Sequence, residues 1–403
     1  MNNYVTYHLH TMDSLLDSAT SYKEYVDYAV ELGQKAICFT EHGNTYNYFE
    51  KYSYCKEKGI KFLFGIEIYL TETFETNIRD NYHTILIAKN HDGFKEINNL
   101  IAVSTRKDHR YYKPRISFEE FLNISDNVIK ISACLAGPLH SFKKRLDEAE
   151  SNGEDVGLRR ELYMRLCKHY DYYEIQYHGG EQVEYNKYLY ELSKIFHKPL
   201  IAATDTHSIN QYKAECRTIL QYGKTDGEWG DGENSFDLTY KSLQGLIKAF
   251  WTQNALPRDV WMAAINETNV MADSVDEFEI DTALKYPVLY AGQDEEQIMW
   301  DRIHRMYDEK VRAGVIDGNN PQYMDNIKEE MRVFKKINMV GFMLFMSELM
   351  SWAREENIFT SPCRGSVGGS TVAYITDIID VDPIIMHTIF SRFANEYRSE
   401  VGD

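Results

Sequence analysis

The residues with the clearest chemical potential in this chain are histidines and acidic residues at the ends of strand-like segments. His8 and His10 lie two positions apart in the segment YHLHT, and Asp17 follows seven residues after His10. Asp205 and His207 repeat the two-residue spacing in the segment ATDTHS. Because residues two apart on a strand face the same side of it, each pair can converge on one metal ion.

Four more residues of metal-binding type extend this set to nine candidate ligands: His42, Glu67, His83 and Cys134. Most of the nine lie near the carboxyl end of a strand-like segment, whereas His83 begins its segment and has to reach the site from the preceding loop. Taken singly, a histidine or a glutamate in such a place is more often structural, and a cysteine is more often a buried apolar residue. The prediction of a metal site therefore depends on the joint pattern.

Imidazole, carboxylate and thiolate ligands together suit Zn²⁺, Mn²⁺ or iron better than Mg²⁺. Nine ligands are too many for a single ion, so two or three divalent metals would share bridging carboxylates. Clustered ions of this kind activate water and stabilise the charge that develops during phosphoester cleavage. The set thus predicts a metal-dependent phosphoesterase site.

The elements that would position these ligands are seven apolar, strand-like segments in the first 210 residues. They read VTYHLHT, KAICFTEH, KFLFGIEIYL, HTILIAKN, NVIKISACLAG, YYEIQYHG and PLIAATDTHS, with helix-like segments between several of them. This alternation predicts an α/β fold in which a parallel sheet closes into a seven-stranded (β/α) barrel. Active sites in such barrels lie at the carboxyl ends of the strands, where most of the nine candidates fall.

Two domains are predicted, over residues 1–285 and 286–403. After the barrel, the sequence predicts a Gly-, Asp- and Glu-rich loop over 222–237 and a helical extension that completes the first domain. The second domain opens with long amphipathic helices and ends in a Gly-rich segment.

Charge and composition limit the function classes. The 403 residues include 44 basic and 62 acidic side chains, for a formal charge of −18. Such a balance disfavours a generally basic DNA-coating surface, although a local basic strip can act on an acidic body. We find no signal peptide, no apolar segment long enough to span a bilayer, and no CxxC pair among the six cysteines. A soluble cytoplasmic protein with reduced thiols and no membrane partner is therefore predicted.

The best local basic strip is residues 104–115, STRKDHRYYKPR, which carries two tyrosines and five cationic side chains. These cations are Arg106, Lys107, Arg110, Lys113 and Arg115. Lysine, arginine and tyrosine together suit the phosphates and stacked bases of DNA. An ordinary solvated loop is an equally common explanation. Near the sixth strand-like segment, Glu174 and His178 are candidates to support the metal ligands rather than to bind metal.

A second constellation lies in the segment RGSVGGSTVAYIT. Its Gly/Ser loop carries backbone and hydroxyl donors and runs into an apolar, helix-like stretch, a setting that can bind phosphate. Arg364 adds a charged fork. Loops of this composition are more often simple turns, and the GK[ST] of a Walker motif is absent.

The first constellation resembles the polymerase and histidinol phosphatase (PHP) family through HLHTMDSLLD, FTEHGN, GIEIY, ISACLAG and ATDTHS. The resemblance implies a seven-stranded barrel with a trinuclear metal site in which all nine ligand positions are occupied. An intact set resembles members whose PHP domain is a metal-dependent phosphoesterase rather than a scaffold.

The C-terminal segment resembles the palm of the bacterial C-family replicative polymerases, the DNA polymerase III alpha subunits, through GFMLFMSELMSWAREENI, RGSVGGSTVAYITDIIDVDP and FSRFANEYR. The resemblance implies that five residues bind the triphosphate of an incoming nucleotide: Arg364, Gly365, Ser366, Ser370 and Arg392. It also aligns Asp403 with the first catalytic aspartate of the palm. Cys363 replaces a glycine of the family pattern and Glu396 replaces a proline, and these divergences suggest a phage or mobile-element origin.

The later palm carboxylates, the fingers and the thumb are absent from the sequence, so we expect no polymerisation by this chain alone. The resemblance implies Mg²⁺ for polymerisation in a complete enzyme, and a C-terminal remainder or a split partner chain. Primer–template or single-stranded 3′ ends, dNTPs and other replisome subunits would be further partners.

The leading hypothesis is the N-terminal portion of a replicative DNA polymerase whose PHP domain has 3′–5′ exonuclease or related phosphoesterase activity. One alternative is a free-standing PHP phosphatase for small phosphate esters, which would have no use for a triphosphate loop. The other is a non-catalytic scaffold in which the metals only stabilise the barrel.

Overall fold

The structure is a computed structural model that describes residues 3–75, 78–224, 236–281 and 287–397. The chain divides into two compact units, Met1–Ile280 and Asp281–Asp403. Seven strands lie in the first unit: β1 (Ala36–Phe39), β2 (Lys61–Thr71), β3 (Tyr82–Ala88), β4 (Arg115–Ser117), β5 (Val128–Ile131), β6 (Tyr173–Gln176) and β7 (Leu200–Ala203).

Ten helices of the first unit lie among and after these strands. They are α1 (Tyr22–Glu31), α2 (Tyr48–Lys58), α3 (His91–Ser104), α4 (Phe118–Leu122), α5 (Lys143–Ser151), α6 (Gly157–His169), α7 (Glu181–Phe196), α8 (Gln211–Lys224), α9 (Leu243–Gln253) and α10 (Arg258–Asp273). A π-helical turn, Pro138–Phe142, precedes α5. None of the described helices is long and apolar enough to cross a membrane.

The strands form two sheets rather than the predicted seven-stranded barrel. One sheet has the order β1-β2-β3-β5, with β4 paired to β2, and the other contains β6 and β7. The first strand-like segment of the sequence forms no strand and contributes only isolated parallel bridges, from Thr6 to Ile37 and from Leu9 to Thr206. A third bridge, from Ile131 to Tyr172, connects β5 with the approach to β6. A single barrel of seven strands is therefore not confirmed, although these bridges link the five-stranded and the two-stranded sheet.

The prediction of a wholly parallel sheet is wrong at β3. This strand is antiparallel to both β2 and β5, while β1 with β2 and β6 with β7 are parallel. Because β3 runs antiparallel to β2 and β5, its first residues lie beside the carboxyl ends of those two strands. His83, the second residue of β3, therefore enters the site from the strand itself and not from the preceding loop, and it pairs with Tyr69 in register.

Local sequence explains why these elements form where they do. Strands β1, β5, β6 and β7 are four residues long and buried throughout, as expected for strands covered on both faces. Ser21 and Ser117 start α1 and α4 with capping boxes completed by Glu24 and Glu120. The strands that carry the candidate ligands are thus anchored by apolar packing, not by the ligands themselves.

The second unit contains four helices: α11 (Glu295–Arg312), α12 (Gln322–Lys336), α13 (Val340–Glu355) and α14 (Thr371–Ile375). Its core includes Ile303, Ile327, Phe334 and Leu344. Gly365–Gly369 forms a 3₁₀ helix immediately before α14. Gly365 has a φ of 68°, a left-handed conformation that glycine adopts without strain.

Candidate metal centre

All nine predicted ligands lie together in the first unit. Six of them are in or just after β1, β2, β5 and β7 or at the start of β3, and the other three, His8, His10 and Asp17, lie in the N-terminal segment that forms only isolated bridges. Each is within 3.9 Å of another member through a nitrogen, oxygen or sulfur atom. Cys134 is the most peripheral, with its Sγ 3.9 Å from Nδ1 of His83. The nine residues that the sequence analysis grouped are therefore close together in the structure. The role of each residue in binding metal stays a prediction.

Glu67 is the hub of the cluster. Its Oε1 lies 3.0 Å from Nδ1 of His83 and 3.5 Å from Nε2 of His8. Its Oε2 lies 2.6 Å from Nδ1 of His42 and 3.6 Å from Nε2 of His10. A carboxylate whose two oxygens face different imidazoles is placed as a bridging ligand would be.

Asp205 is the second shared carboxylate. Its Oδ1 lies 3.1 Å from Nε2 of His8, 3.5 Å from Nε2 of His10 and 3.6 Å from Nδ1 of His207. The residue follows β7 with a φ of 46°, a left-handed conformation unusual for a non-glycine residue. Strain of this kind persists where the surroundings fix the side chain, and it is common at functional sites.

Hydrogen bonds fix the orientation of three imidazoles. His8 Nδ1 donates to Glu174 Oε1 over 2.8 Å, and His207 Nδ1 donates to the carbonyl oxygen of Asp205 over 2.9 Å. His10 Nδ1 lies 3.1 Å from Oγ of Ser14, whose hydroxyl already donates to a carboxylate and so accepts here. These contacts at Nδ1 turn the Nε2 atom of each ring into the cluster, and Nε2 is the nitrogen that would bind a metal.

The charges in the cluster move the pKa values of the rings in opposite directions. Burial alone would lower the pKa of His8, but the carboxylates of Asp205 and Glu174 raise it well above its ordinary value. Burial and the neighbouring imidazoles of His42 and His207 lower the pKa of His10 well below its ordinary value. His10 therefore stays neutral, with a lone pair available for a cation.

Carboxylates and the thiol respond to the same environment. Burial would raise the pKa of Glu67, but His83 and His42 hold it well below its ordinary value. Burial and the nearby carboxylates of Asp205 and Glu67 raise the pKa of the Cys134 thiol well above its ordinary value. Cys134 would thus become a thiolate only beside an additional positive charge.

The donor set fits divalent cations. Five buried atoms of the cluster form no hydrogen bond of acceptable geometry, although His42 Nδ1 and Glu67 Oε2 lie 2.6 Å apart: His8 Nε2, His10 Nε2, His42 Nδ1, Glu67 Oε2 and His207 Nε2. Buried polar atoms are normally satisfied, so unpaired atoms that face one another indicate a ligand between them. Three overlapping groups have ligand atoms within 4.8 Å of one another: His10–His42–His207, His8–His10–Asp205 and His42–Glu67–His83. Three overlapping groups suit two or three ions.

Two supporting residues escaped the sequence analysis. Arg217 Nη2 donates to Asp17 Oδ1 over 2.7 Å, and Gln221 Nε2 donates to the same oxygen over 3.1 Å. Their spacing of four residues on α8 places them on one helix face. This spacing is the feature of the sequence that could have indicated that they act together. Together with His207 and His42, Arg217 holds the pKa of Asp17 well below its ordinary value, against the opposing effect of burial.

The two predicted supporting residues differ. Glu174 accepts hydrogen bonds from His8, from the Tyr7 hydroxyl and from Nε2 of Gln176, so it fixes the orientation of His8. His178 instead stacks on Phe236 at 4.6 Å between ring centroids. Burial lowers the pKa of His178 to about 4.

A second buried network holds the loop that carries Asp17. Glu41 accepts hydrogen bonds from Thr11 and Ser14, and the nearly inaccessible Lys51 lies 2.8 Å from Glu41 and 2.9 Å from Asp13. Ser14 in turn contacts His10. The network therefore supports a ligand without belonging to the predicted set.

The basic strip is divided by the fold. Arg106, Lys107 and Arg110 are exposed, and Lys113 is half-buried with its Nζ 3.3 Å from the Tyr69 hydroxyl. Arg115 does not belong to a DNA-binding surface, because it is 1% exposed and donates to the carbonyl oxygens of residues 78 and 80. The prediction for Arg115 is corrected on this ground, and its pKa is lowered by burial.

In the second unit, Arg364, Ser366 and Arg392 line a cavity of about 660 Å³. Its floor includes several methionines of α13, and Cys363 lies on its wall. Glu396, which stands where the family pattern has a proline, pairs with Arg332 of α12. Asp403 lies outside the described residues.

Ser370 is not placed to contact a nucleotide. It is fully buried, donates through Oγ to Glu330 over 2.6 Å, and accepts from the amide of Ala373. Glu330 also accepts from the amides of Thr371 and Val372 over 2.7 and 2.9 Å. A carboxylate from α12 therefore occupies the donors that the sequence assigned to phosphate.

Comparison with known proteins gives two domain matches. The PHP domain family matches residues 6–198. The family described as the bacterial DNA polymerase III alpha NTPase domain matches residues 296–403. The first unit accordingly contains a PHP domain, and the second contains sequence of a bacterial replicative polymerase.

Full-length comparison identifies the family more narrowly. The chain is 31% identical over 425 residues to the DNA polymerase III subunit alpha of Aquifex aeolicus, covering 100% of this chain and 36% of that protein. It is 26% identical over 430 residues to the subunit of Campylobacter jejuni, again covering 100% and 36%. The chain belongs to the DNA polymerase III alpha family and corresponds to the N-terminal portion of these subunits. It spans about a third of the length of these relatives, and they do not support a phage origin.

Among solved structures, the chain resembles a putative metal-dependent phosphoesterase from Bifidobacterium adolescentis. The two are 14% identical with a TM-score of 0.33, over 61% of this chain and 96% of that protein. A score of this size does not establish a shared fold by itself.

Proposed function

We propose that the PHP unit hydrolyses phosphodiester bonds of DNA with two or three divalent cations bound by its nine clustered residues. The observation that carries the proposal is the set of five buried, mutually facing ligand atoms without hydrogen-bond partners. The nine residues together offer imidazole, carboxylate and thiol donors, a mixture that suits Zn²⁺, Mn²⁺ or iron. Because the chain is related to replicative polymerases, we expect its substrate to be a DNA end and its reaction to be exonucleolytic cleavage.

The protein's own groups have separable tasks in this mechanism. His8, His10, His42, His83, His207 and Cys134 would bind the cations, and Glu67, Asp205 and Asp17 would bind them too and balance their charge. Bound cations neutralise the phosphodiester and increase the acidity of water. Glu174 and Arg217 act through the ligands that they orient, His8 and Asp17.

A metal-stabilised scaffold is the main competing function, because a structural site also leaves ligand atoms unsatisfied without its ions. A phosphatase for small esters is less consistent with a chain whose second unit matches a replicative polymerase. Substrate choice and catalysis therefore have to be measured in one set of assays.

The test is to measure bound metal and then incubate the chain with Mn²⁺ or Zn²⁺ and labelled single-stranded DNA. We expect shortening of the DNA, and loss of at least about a hundredfold in rate for Asp205→Asn, which removes one shared charge. Asp126→Asn, at an exposed position of the same unit, is the matched control. Cleavage confined to phosphomonoesters supports the small-ester phosphatase. Bound metal without any turnover, together with a large fall in melting temperature on chelation, supports the scaffold.

For the second unit, we propose that Arg364, Ser366 and Arg392 bind the triphosphate of a dNTP within a polymerase palm. Two guanidinium groups on one cavity of about 660 Å³ support this. Polymerisation would further involve Mg²⁺, primer–template DNA, the remaining polymerase sequence and other replisome subunits.

This proposal predicts that Arg364→Ala weakens binding of a dNTP with Mg²⁺ about tenfold in titration calorimetry, because one charged hydrogen-bond donor is lost. Arg305→Ala, at an exposed position on α11, is the control. Equal affinity of Arg364→Ala and the parent chain would contradict the assignment.

A further inference from the structure

Two cavities of different chemistry open onto the candidate metal centre. The cationic cavity has a volume of about 480 Å³ and is lined by Asp17, His42 and His83 of the centre together with Arg110, Lys113 and Tyr46. The apolar cavity has a volume of about 740 Å³ and is lined by Cys134 and Asp205 of the centre together with Leu135, Phe236 and Leu238. They share no lining residue.

The cationic cavity suits the backbone and bases of a single strand. Arg110 is exposed on it, and Lys113 lies beside Tyr69. Leu15 and Tyr46, on the same cavity, are 70% and 58% exposed. Cations that track phosphates and apolar or aromatic side chains that stack on bases are the two components of single-strand binding. The chain has a formal charge of −18, so the positive side chains in the cationic cavity have a sign opposite to that of the net charge.

The apolar cavity suits a single terminal nucleotide. Phe236 and Leu135 offer apolar surface for a base, and the volume is within the range that encloses one small ligand. At this cavity, Lys144 Nζ lies 3.1 Å from Oε1 of Glu181, and His140 lies 3.8 Å from Oε2 of the same carboxylate. Charged groups at the cavity are thus paired with each other, which leaves base stacking as the main source of affinity.

We propose that one DNA strand crosses the metal centre, with its body in the cationic cavity and its terminal nucleotide in the apolar cavity. This inference rests on the proposed phosphodiesterase function and specifies its substrate. Water adds to the phosphorus between the two cavities, and the bond from phosphorus to the leaving ribose oxygen breaks. That oxygen takes up a proton, so one product carries a phosphate monoester and the other a hydroxyl group. A small monoester would occupy only one cavity.

The first experiment compares a single-stranded 20-mer with a dinucleotide on the metal-loaded chain. We expect the double variant Arg110→Met/Lys113→Met to reduce the ratio of kcat/KM for the 20-mer to kcat/KM for the dinucleotide about tenfold. The same variant should show a smaller dependence of 20-mer binding on salt. Lys95→Met, at an exposed position on α3, is the matched control and should keep the parent ratio. A ratio unchanged in the double variant overturns the assignment of the cationic cavity.

The second experiment compares 20-mers that end in a normal or an abasic nucleotide. The parent chain should prefer the base-bearing end about tenfold in kcat/KM, and Phe236→Ala should remove the preference. Leu135→Ala is a second variant on the same wall, and Leu158→Ala, at an exposed position of α6, is the control. Variants are compared at equal metal content and melting temperature.

Each outcome separates the two proposals. Cleavage of DNA without any preference for a terminal base overturns this inference and leaves the phosphodiesterase proposal standing. Absence of DNA cleavage by the metal-loaded parent chain overturns both.

Discussion

The metal centre of the first unit and the Gly/Ser loop of the second are both clusters of polar groups, but they differ in what the fold leaves unsatisfied. In the metal centre, the Nε2 atoms of His8, His10 and His207 are buried without hydrogen-bond partners. At the loop, Glu330 and Ser370 satisfy each other and the first amides of α14. Residue types alone suggest a site, whereas buried donor and acceptor atoms that the fold does not pair indicate where a ligand would bind.

The difference has a simple origin in the supply of counter-charges. The metal centre brings together side chains from six separate parts of the chain, and Arg217 pairs with Asp17 at its edge. At the end of the loop, one carboxylate on α12 accepts hydrogen bonds from the Ser370 hydroxyl and from the amides of Thr371 and Val372. Ser370 and the amides of Thr371 and Val372 therefore have no need of an external phosphate, and the proposed triphosphate contacts lie instead at Arg364, Ser366 and Arg392 on the 660 Å³ cavity.

The strongest way to test this contrast is His10→Ala. His10 belongs to two of the three overlapping ligand groups, so its loss should remove at least one bound ion and reduce DNA cleavage about a thousandfold. Metal analysis and cleavage rates measure the two effects. His91→Ala, at an exposed position of α3, should change neither quantity. Full metal content and near-normal cleavage in His10→Ala would contradict the shared-ligand interpretation.

Particular residues show which parts of the site and of the fold could be predicted from the sequence. The spacing of His8 with His10 and of Asp205 with His207 grouped each pair correctly together with the other candidates, although neither pair lies within a strand: an isolated bridge joins residues 9 and 206. The direction of β3 was not predictable, since an apolar segment reads the same in parallel and antiparallel pairing. The burial of Arg115 and Ser370 depends on carbonyls and a carboxylate distant in sequence, which no local pattern contains.

A pH titration tests the other side of the contrast. Burial raises the pKa of Glu330 to about 7 from its ordinary 4.5, although its hydrogen bonds oppose this change. Between these values the folded chain holds a proton that the unfolded chain releases. Raising the pH through this window should therefore lower the free energy of unfolding of the second unit, by at most about 3 kcal/mol.

Hydrogen exchange of peptides from α12 and α14, followed over pH 4.5 to about 7.5, would measure this change. Glu330→Gln has no titrating group at this position, so the difference in stability between the parent chain and the variant should narrow as pH rises. A difference that is independent of pH would show that Glu330 does not titrate in this range.

A smaller effect is expected where a residue acts through a ligand. Arg217→Met should lower metal affinity about ten- to a hundredfold, because Asp17 loses the cation that orients it. Titration of the metal-free chain with Mn²⁺ or Zn²⁺ measures this affinity directly. Arg165→Met, which removes an exposed ion pair with Glu119, is the control. Equal affinities for the two variants would assign Arg217 a purely structural role.

The smallest expected effect belongs to Ser370→Ala. Loss of this helix cap should reduce the stability of the second unit by about 1 kcal/mol. Affinity for a dNTP should stay within about twofold of the parent value, because Ser370 does not line the 660 Å³ cavity. Denaturant unfolding and calorimetry measure the two quantities. A tenfold loss of dNTP affinity at unchanged stability would return Ser370 to the nucleotide site.

The pairing of residues 8–10 with residue 206 has a consequence for synthesis on the ribosome. The backbone amide of His10 donates to the carbonyl of Thr206, and Asp17 is held by Arg217, 200 residues later. At about 5–20 residues per second, the first histidines to be translated wait roughly 10 to 40 seconds for these partners. During that interval the nascent chain displays unpaired imidazoles and carboxylates next to apolar segments. The centre can therefore be completed only after α8 has been synthesised.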